Sequence, residues 1–187
     1  MAEIILVTGG ARSGKSAYAQ ARAEKMQPER VFIATCPVVD TEMAERIRRH
    51  QKARSESGWR TVEETTALSR VLGQCRDCGV VLIDCLTLWV NNLLFSPDEE
   101  HRLDEDRMAR LGRELVESAL ALSCPVIMVT NEVGLGIVPE NGLARRYRDL
   151  VGRLNQTIGA AAAEVILVVA GQSLTIKKYD LYQKKRR

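Results

Sequence analysis

The chain has 187 residues, 45% hydrophobic and 27% charged, with a formal net charge of +3. That length can bury a sizeable core in one domain without disulfides or structural metal, and the charge is too small to imply nucleic acid or another polyanion as partner. No basic stretch with a cleavage signal precedes the first apolar run, and no uninterrupted apolar run reaches membrane-spanning length, so a cytoplasmic protein without a membrane span is expected.

The first element is a β-branched run, Ile4 to Thr8, followed by Gly9-Gly10-Ala11-Arg12-Ser13-Gly14-Lys15-Ser16 and an alanine-rich helical stretch, Ala17 to Met26. The octet matches G-x-x-x-x-G-K-[ST] at every fixed position, in the strand–loop–helix context that the pattern requires. Glycines let several backbone N–H groups turn toward one polyphosphate, and the following helix adds the positive end of its dipole. Lys15 is expected to reach the outer phosphates, and Ser16 to offer its hydroxyl to magnesium, which requires oxygen ligands.

Further apolar runs at Val31–Ala34, Val80–Ile83, Val126–Val129 and Val165–Val169 are short, β-branched and non-alternating, as strands buried on both faces should be. Helical patterns lie between them, at Ala44–Lys52, Ala67–Gln74, Asp104–Leu122 and Leu143–Ala162. In the last, Leu143, Tyr147, Leu150, Val151, Leu154 and Ile158 form one stripe. The alternation predicts a single α/β domain, a three-layer sandwich of the P-loop NTPase kind. Its sheet is mostly parallel, with ligands at the carboxyl ends of the strands. A basic tail over residues 178–187 is expected to be solvated.

Three chemical features follow in chain order. Met43, Ile47 and His50 share one face of the segment after Asp40 and Thr41, so His50 points inward on a helix rich in arginine. A neutral imidazole there is either a hydrogen-bonded core residue or a nucleophile able to form a phosphoramidate. His101, within an acidic stretch, reads as solvated. The strand Val80–Ile83 ends in Asp84, the position from which a carboxylate holds magnesium beside a phosphate loop. Val129-Thr130 is followed by Asn131-Glu132-Val133-Gly134 rather than by the base-reading N-K-x-D of a GTPase switch, and Asn131 to Asn141 reads as a long loop at the active end of the sheet. The five cysteines, Cys36, Cys75, Cys78, Cys85 and Cys124, are expected to be reduced thiols, mostly buried. The single C-x-x-C of Cys75 and Cys78 lacks a second pair for zinc. Residue types and spacing thus reach a magnesium-dependent nucleotide enzyme, a phosphotransferase or nucleotidyltransferase, and leave the acceptor open. A simple small-molecule kinase and a non-catalytic GTP-binding module stand as alternatives.

The chain resembles the bifunctional adenosylcobinamide kinase and adenosylcobinamide-phosphate guanylyltransferase family of cobalamin biosynthesis. The resemblance is carried by Leu6 to Ser16, Ile33-Ala34-Thr35, and Asp40 to Met43 with Arg46-Ile47 and His50. It continues through Trp59 to Glu64, Thr130 to Gly134, Gly136 to Asn141, Arg148-Asp149 and Gly152 to Gln156. It implies phosphorylation of adenosylcobinamide by ATP or GTP, then GMP transfer from GTP to adenosylcobinamide-phosphate through a guanylylated histidine, at the position of His50. It also implies a homotrimer. Its nucleotide contacts fall on Gly9, Gly10, Ala11, Arg12, Ser13, Gly14, Lys15 and Ser16; on Ala34, Thr35 and Cys36; on Gln51, Lys52, Ala53 and Arg54; and on Glu63 and Asp84. Arg49 stands where some members have a second histidine, which leaves one nucleophile candidate.

Overall fold

The computed structural model describes residues 2–37, 45, 48, 52, 54, 57–96 and 103–179. His50, Gln51, Ala53 and His101 lie outside them, as do residues 180–187 of the basic tail.

Seven strands form one sheet: β1 (Ile4–Gly9), β2 (Arg30–Ala34), β3 (Trp59–Glu63), β4 (Val80–Asp84), β5 (Val126–Val129), β6 (Glu164–Val169) and β7 (Gln172–Lys178). Their spatial order is β3-β2-β4-β5-β1-β6-β7. Every neighbouring pair is parallel except β6 with β7. The strand bearing the phosphate loop is thus separated from β4, which ends in Asp84, by β5 alone.

The helices are α1 (Lys15–Glu24), α2 (Leu68–Gln74), α3 (Leu86–Leu94), α4 (Glu105–Leu120) and α5 (Gly142–Ala161), and residues 45, 48, 52 and 54 are also helical. The five central strands are apolar on both faces because both faces are covered. Ile4, Leu6, Ile33, Ile83 and Met128 pack with α2, α3, α4 and α5, whereas Ile5, Val7, Phe32, Leu82 and Val129 pack with Ala19 and Ala23 of α1. Trp89 of α3 is buried with its indole N–H donating to the Thr66 carbonyl at 2.7 Å, so the largest core side chain keeps its polar atom satisfied.

Three elements depart from the sequence expectation. β3 and β7 carry no apolar run because both are edge strands with little to bury: β3 buries only Trp59, and β7 is almost wholly exposed. Lys178, assigned by sequence to a solvated tail, ends β7 instead. α3 begins two residues after β4, so the apolar run passes from strand to helix without a break in pattern. In α5 the stripe narrows: Leu150, Val151, Leu154 and Ile158 are buried, Tyr147 is half-buried and Leu143 is exposed.

β6 and β7 are joined by a two-residue turn, Ala170-Gly171, with φ of 49° and 77°. Two successive positive φ angles give the twist that a tight antiparallel hairpin needs.

Candidate active site

Sheet register aligns the strand ends. Glu63 lies opposite Ala34, Ala34 opposite Asp84, Asp84 opposite Val129, and Val129 opposite Val7. Glu63, Ala34 and Asp84, three of the expected nucleotide contacts, therefore share one row across the sheet that reaches the root of the phosphate loop.

The loop is shaped by close packing. A Cβ on Gly9 would lie 2.3 Å from the Val168 carbonyl oxygen, and Gly14, at φ 95°, lies against Gly171. Arg12 also takes a positive φ of 58°, so the loop bends sharply on both sides of Ser13. The Gly171 amide donates to the Ser13 carbonyl at 2.8 Å, joining the loop to the β6–β7 turn. Unlike α4 and α5, whose first turns are capped by the side chains of Asp104 and Asn141, α1 has no side-chain cap. Its leading amides are left for an anion.

Lys15 is buried, and its ammonium donates to the Gly10 carbonyl at 2.9 Å. Burial lowers its pKa, against the opposing pull of Cys85 and Asp84. Burial likewise raises that of Asp84, while the Ser16 hydroxyl donating to its carboxylate, Lys15 and Arg54 work the other way. Ser16 and Asp84 thus meet as two hard oxygen donors beside the phosphate loop, a set that suits magnesium. Among the described residues no group of three or more His, Cys, Asp or Glu is arranged to hold a metal by itself, so any ion here would depend on phosphate and water for its remaining ligands.

Arg54 reaches the same end of the sheet. Its guanidinium stacks on Phe32 at 3.9 Å, and its Nε donates to Thr61 Oγ1 at 3.3 Å. Burial lowers its pKa, against Asp84 and Glu63. Lys52 is exposed on the same segment. Thr35 is committed to the fold: its hydroxyl donates to the Cys85 carbonyl at 2.8 Å and accepts from the Cys85 amide at 2.8 Å, which bolts β2 to the chain just beyond Asp84. Cys36 is half-buried beside it.

A second polar group, to which the sequence pattern assigns no site role, lies on the other side of the loop within the Thr130 to Gly134 stretch. Glu132 Oε1 accepts from Thr8 Oγ1 at 2.7 Å and from Asn155 Nδ2 at 3.4 Å, and its own amide donates to the Gly9 carbonyl. Thr130 donates to Asn155 Oδ1, and Asn131 Nδ2 donates to Thr87 Oγ1 while its Oδ1 is buried without a donor. The signal for Glu132 in the sequence is its place at the start of the Asn131 to Asn141 loop, which follows the apolar strand β5 at the active end of the sheet. Beside this group, Gly134, Arg148, Asp149, Gly152, Arg153 and Gln156 line a cleft of about 480 Å³, with Arg148 donating to the Gly134 carbonyl.

All five cysteines are free thiols, three buried and two half-buried. Cys78 and Cys124 are in S–H···S contact at 2.9 Å, far from the phosphate loop at the opposite ends of β4 and β5. Burial, with Cys78 beside it, pushes the Cys124 thiol up to about 12.

The cobinamide kinase / cobinamide phosphate guanyltransferase family model matches residues 5–176. The chain belongs to this family. It is 43% identical over 182 residues to the bifunctional adenosylcobalamin biosynthesis protein CobU of Escherichia coli K12, covering 93% of this chain and 99% of that one. The Salmonella typhimurium protein of the same name matches with the same identity and coverage. The Pseudomonas aeruginosa protein CobP is 42% identical, covering 92% of this chain and 96% of that one. The fold of this cobinamide kinase family member is shared at a TM-score of 0.53 with an ATPase of a bacterial type III secretion system, at 12% identity, over 92% of this chain and 56% of that one. The fold is therefore that of P-loop NTPases, and among the described residues no helix is long and apolar enough to cross a membrane.

Proposed function

We propose that this protein phosphorylates adenosylcobinamide with ATP or GTP, and then transfers GMP from GTP to adenosylcobinamide-phosphate through His50. The convergence of Lys15, Ser16 and Asp84 on one phosphate loop carries this reading, and family membership names the acceptor. In the first reaction Lys15 and the loop amides stabilise charge on the departing phosphates. Ser16 and Asp84 would hold a magnesium ion, which when bound neutralises phosphate oxygens. In the second, neutral His50 attacks the α-phosphorus of GTP: an N–P bond forms and pyrophosphate leaves. The phosphate of the corrinoid then attacks the same phosphorus and frees the imidazole. Arg54, buried beside Phe32 and facing Asp84 and Glu63, is a fixed cation for the nucleotide near the segment that carries His50. Ala34 and Cys36, which flank the buried Thr35 at the end of β2, are proposed to contact the nucleotide as well.

We further propose a cytoplasmic homotrimer. The edge strand β7 leaves Leu174 and Ile176 exposed, with Val169 beside them, a surface suited to a second copy.

The test is incubation with magnesium and GTP labelled at the α-phosphate, then denaturing electrophoresis. Acid-labile, base-stable label on the protein, absent from His50→Ala, is the expected result. No label, with γ-phosphate transfer to cobinamide intact, would leave a kinase without the covalent step.

A further inference from the structure

The two reactions of the proposed function make different demands on their acceptors. In the kinase step the nucleophile is an alcohol, which must lose a proton as its oxygen bonds to phosphorus. In guanylyl transfer it is a phosphate monoester, whose second pKa of about 6 leaves it already deprotonated near neutral pH. A proton acceptor is needed only for the first.

Two described carboxylates bear on the phosphate loop itself, Asp84 at the end of β4 and Glu132 in the segment after β5. Asp84 accepts from Ser16 and faces Lys15 and Arg54, so its charge is committed to cations. Glu132 differs. It follows β5, the strand between β4 and the loop-bearing β1, and its amide is bonded to the Gly9 carbonyl. Both of its side-chain donors, Thr8 and Asn155, are neutral and bind the same oxygen, Oε1. Among the described residues no cation pairs with it and no donor is bonded to Oε2, and this second oxygen is not sealed in the interior. Glu132 is thus fixed in orientation by one oxygen and offers the other at the edge of the loop. The cleft lined by Gly134 and Arg148 lies two residues further along the same segment.

We propose that Glu132 is the general base of the kinase reaction and has no chemical part in guanylyl transfer. The acceptor hydroxyl oxygen bonds to the γ-phosphorus, the bond from that phosphorus to the β-phosphate oxygen breaks, and the nucleoside diphosphate departs. The hydroxyl proton passes to Glu132 Oε2 and then to water. This rests on the proposed function above.

Glu132→Gln tests it, because the amide oxygen still accepts from Thr8 and Asn155 while the free oxygen becomes an N–H group. The full-length variant is assayed with ATP and cobinamide for phosphate transfer, and with GTP and separately prepared cobinamide phosphate for guanylyl transfer. The kinase kcat should fall by roughly 10²–10⁴-fold, with guanylyl transfer within about threefold of wild type. Glu132→Asp should recover part of the kinase rate. Equal loss of both activities would show a structural clamp, and an unchanged kinase rate would show a bystander; either overturns the assignment while leaving the proposed function intact. A wild-type protein that never phosphorylates cobinamide would overturn both.

Discussion

Glu64 illustrates how a single side chain sets a local boundary. Its Oε1 accepts from the amides of Thr66 and Ala67, both at 2.9 Å, just ahead of α2, and Arg70 bonds the other oxygen. Burial would raise its pKa, but these amides and Arg70 hold it below the usual carboxylate value. A depressed folded pKa adds stability above the unfolded value of about 4.3, and that stability is lost as pH falls through the folded value. Glu64→Ala should therefore cost about 1 kcal/mol at pH 7, as loss of a helix-start cap does, in urea unfolding. The difference from wild type should shrink as the pH is lowered below about 4. The exposed Arg70 pair should add little. Residue-scale placement was legible where a motif fixes the position, as for Lys15 and Asp84, which stand beside the phosphate loop. It was illegible where partners are distant in sequence: nothing local marks Thr35 as the bolt on Cys85, or Glu132 as the acceptor for Thr8.

At the scale of elements, the phosphate loop depends on its neighbours as much as on its own sequence. Gly9 is required by the approach of the β6 backbone, since a methyl group would sit 2.3 Å from the Val168 carbonyl oxygen and 2.8 Å from Ser13 Oγ. A backbone carbonyl within a parallel pairing cannot swing aside as a flexible side chain can. Gly9→Ala should lower the urea midpoint with an unchanged slope, by about 1–3 kcal/mol as overpacking does, and weaken nucleotide binding in isothermal titration. The central strands were readable because burial on both faces demands continuous β-branched runs. The edge strands β3 and β7 carry no such signal because edges have no such demand, and α3 merges in sequence with the apolar run of β4.

For the whole molecule, the sheet is covered by four helices on one face, while α1 and the Arg54 region lie on the other, and its β7 edge carries exposed apolar side chains. Sedimentation equilibrium should report three times the 20.8 kDa chain mass. Replacing Leu174 and Ile176 by Asp should shift the distribution toward one chain mass without loss of helical circular dichroism, because neither side chain belongs to the buried core. A wild-type protein that sediments as a monomer at micromolar concentration would remove the trimer.

The bond from the Gly171 amide to the Ser13 carbonyl gives that edge a reach beyond solubility. It makes the turn of the exposed hairpin a structural support of the phosphate loop, so an event on β7 and an event on the nucleotide draw on the same free energy. Linkage then requires reciprocity: whatever factor subunit association contributes to nucleotide affinity, nucleotide contributes to association. If the proposed trimer forms through β7 and favours the nucleotide-bound loop, dilution of the protein weakens nucleotide binding, and saturating nucleotide holds the subunits together.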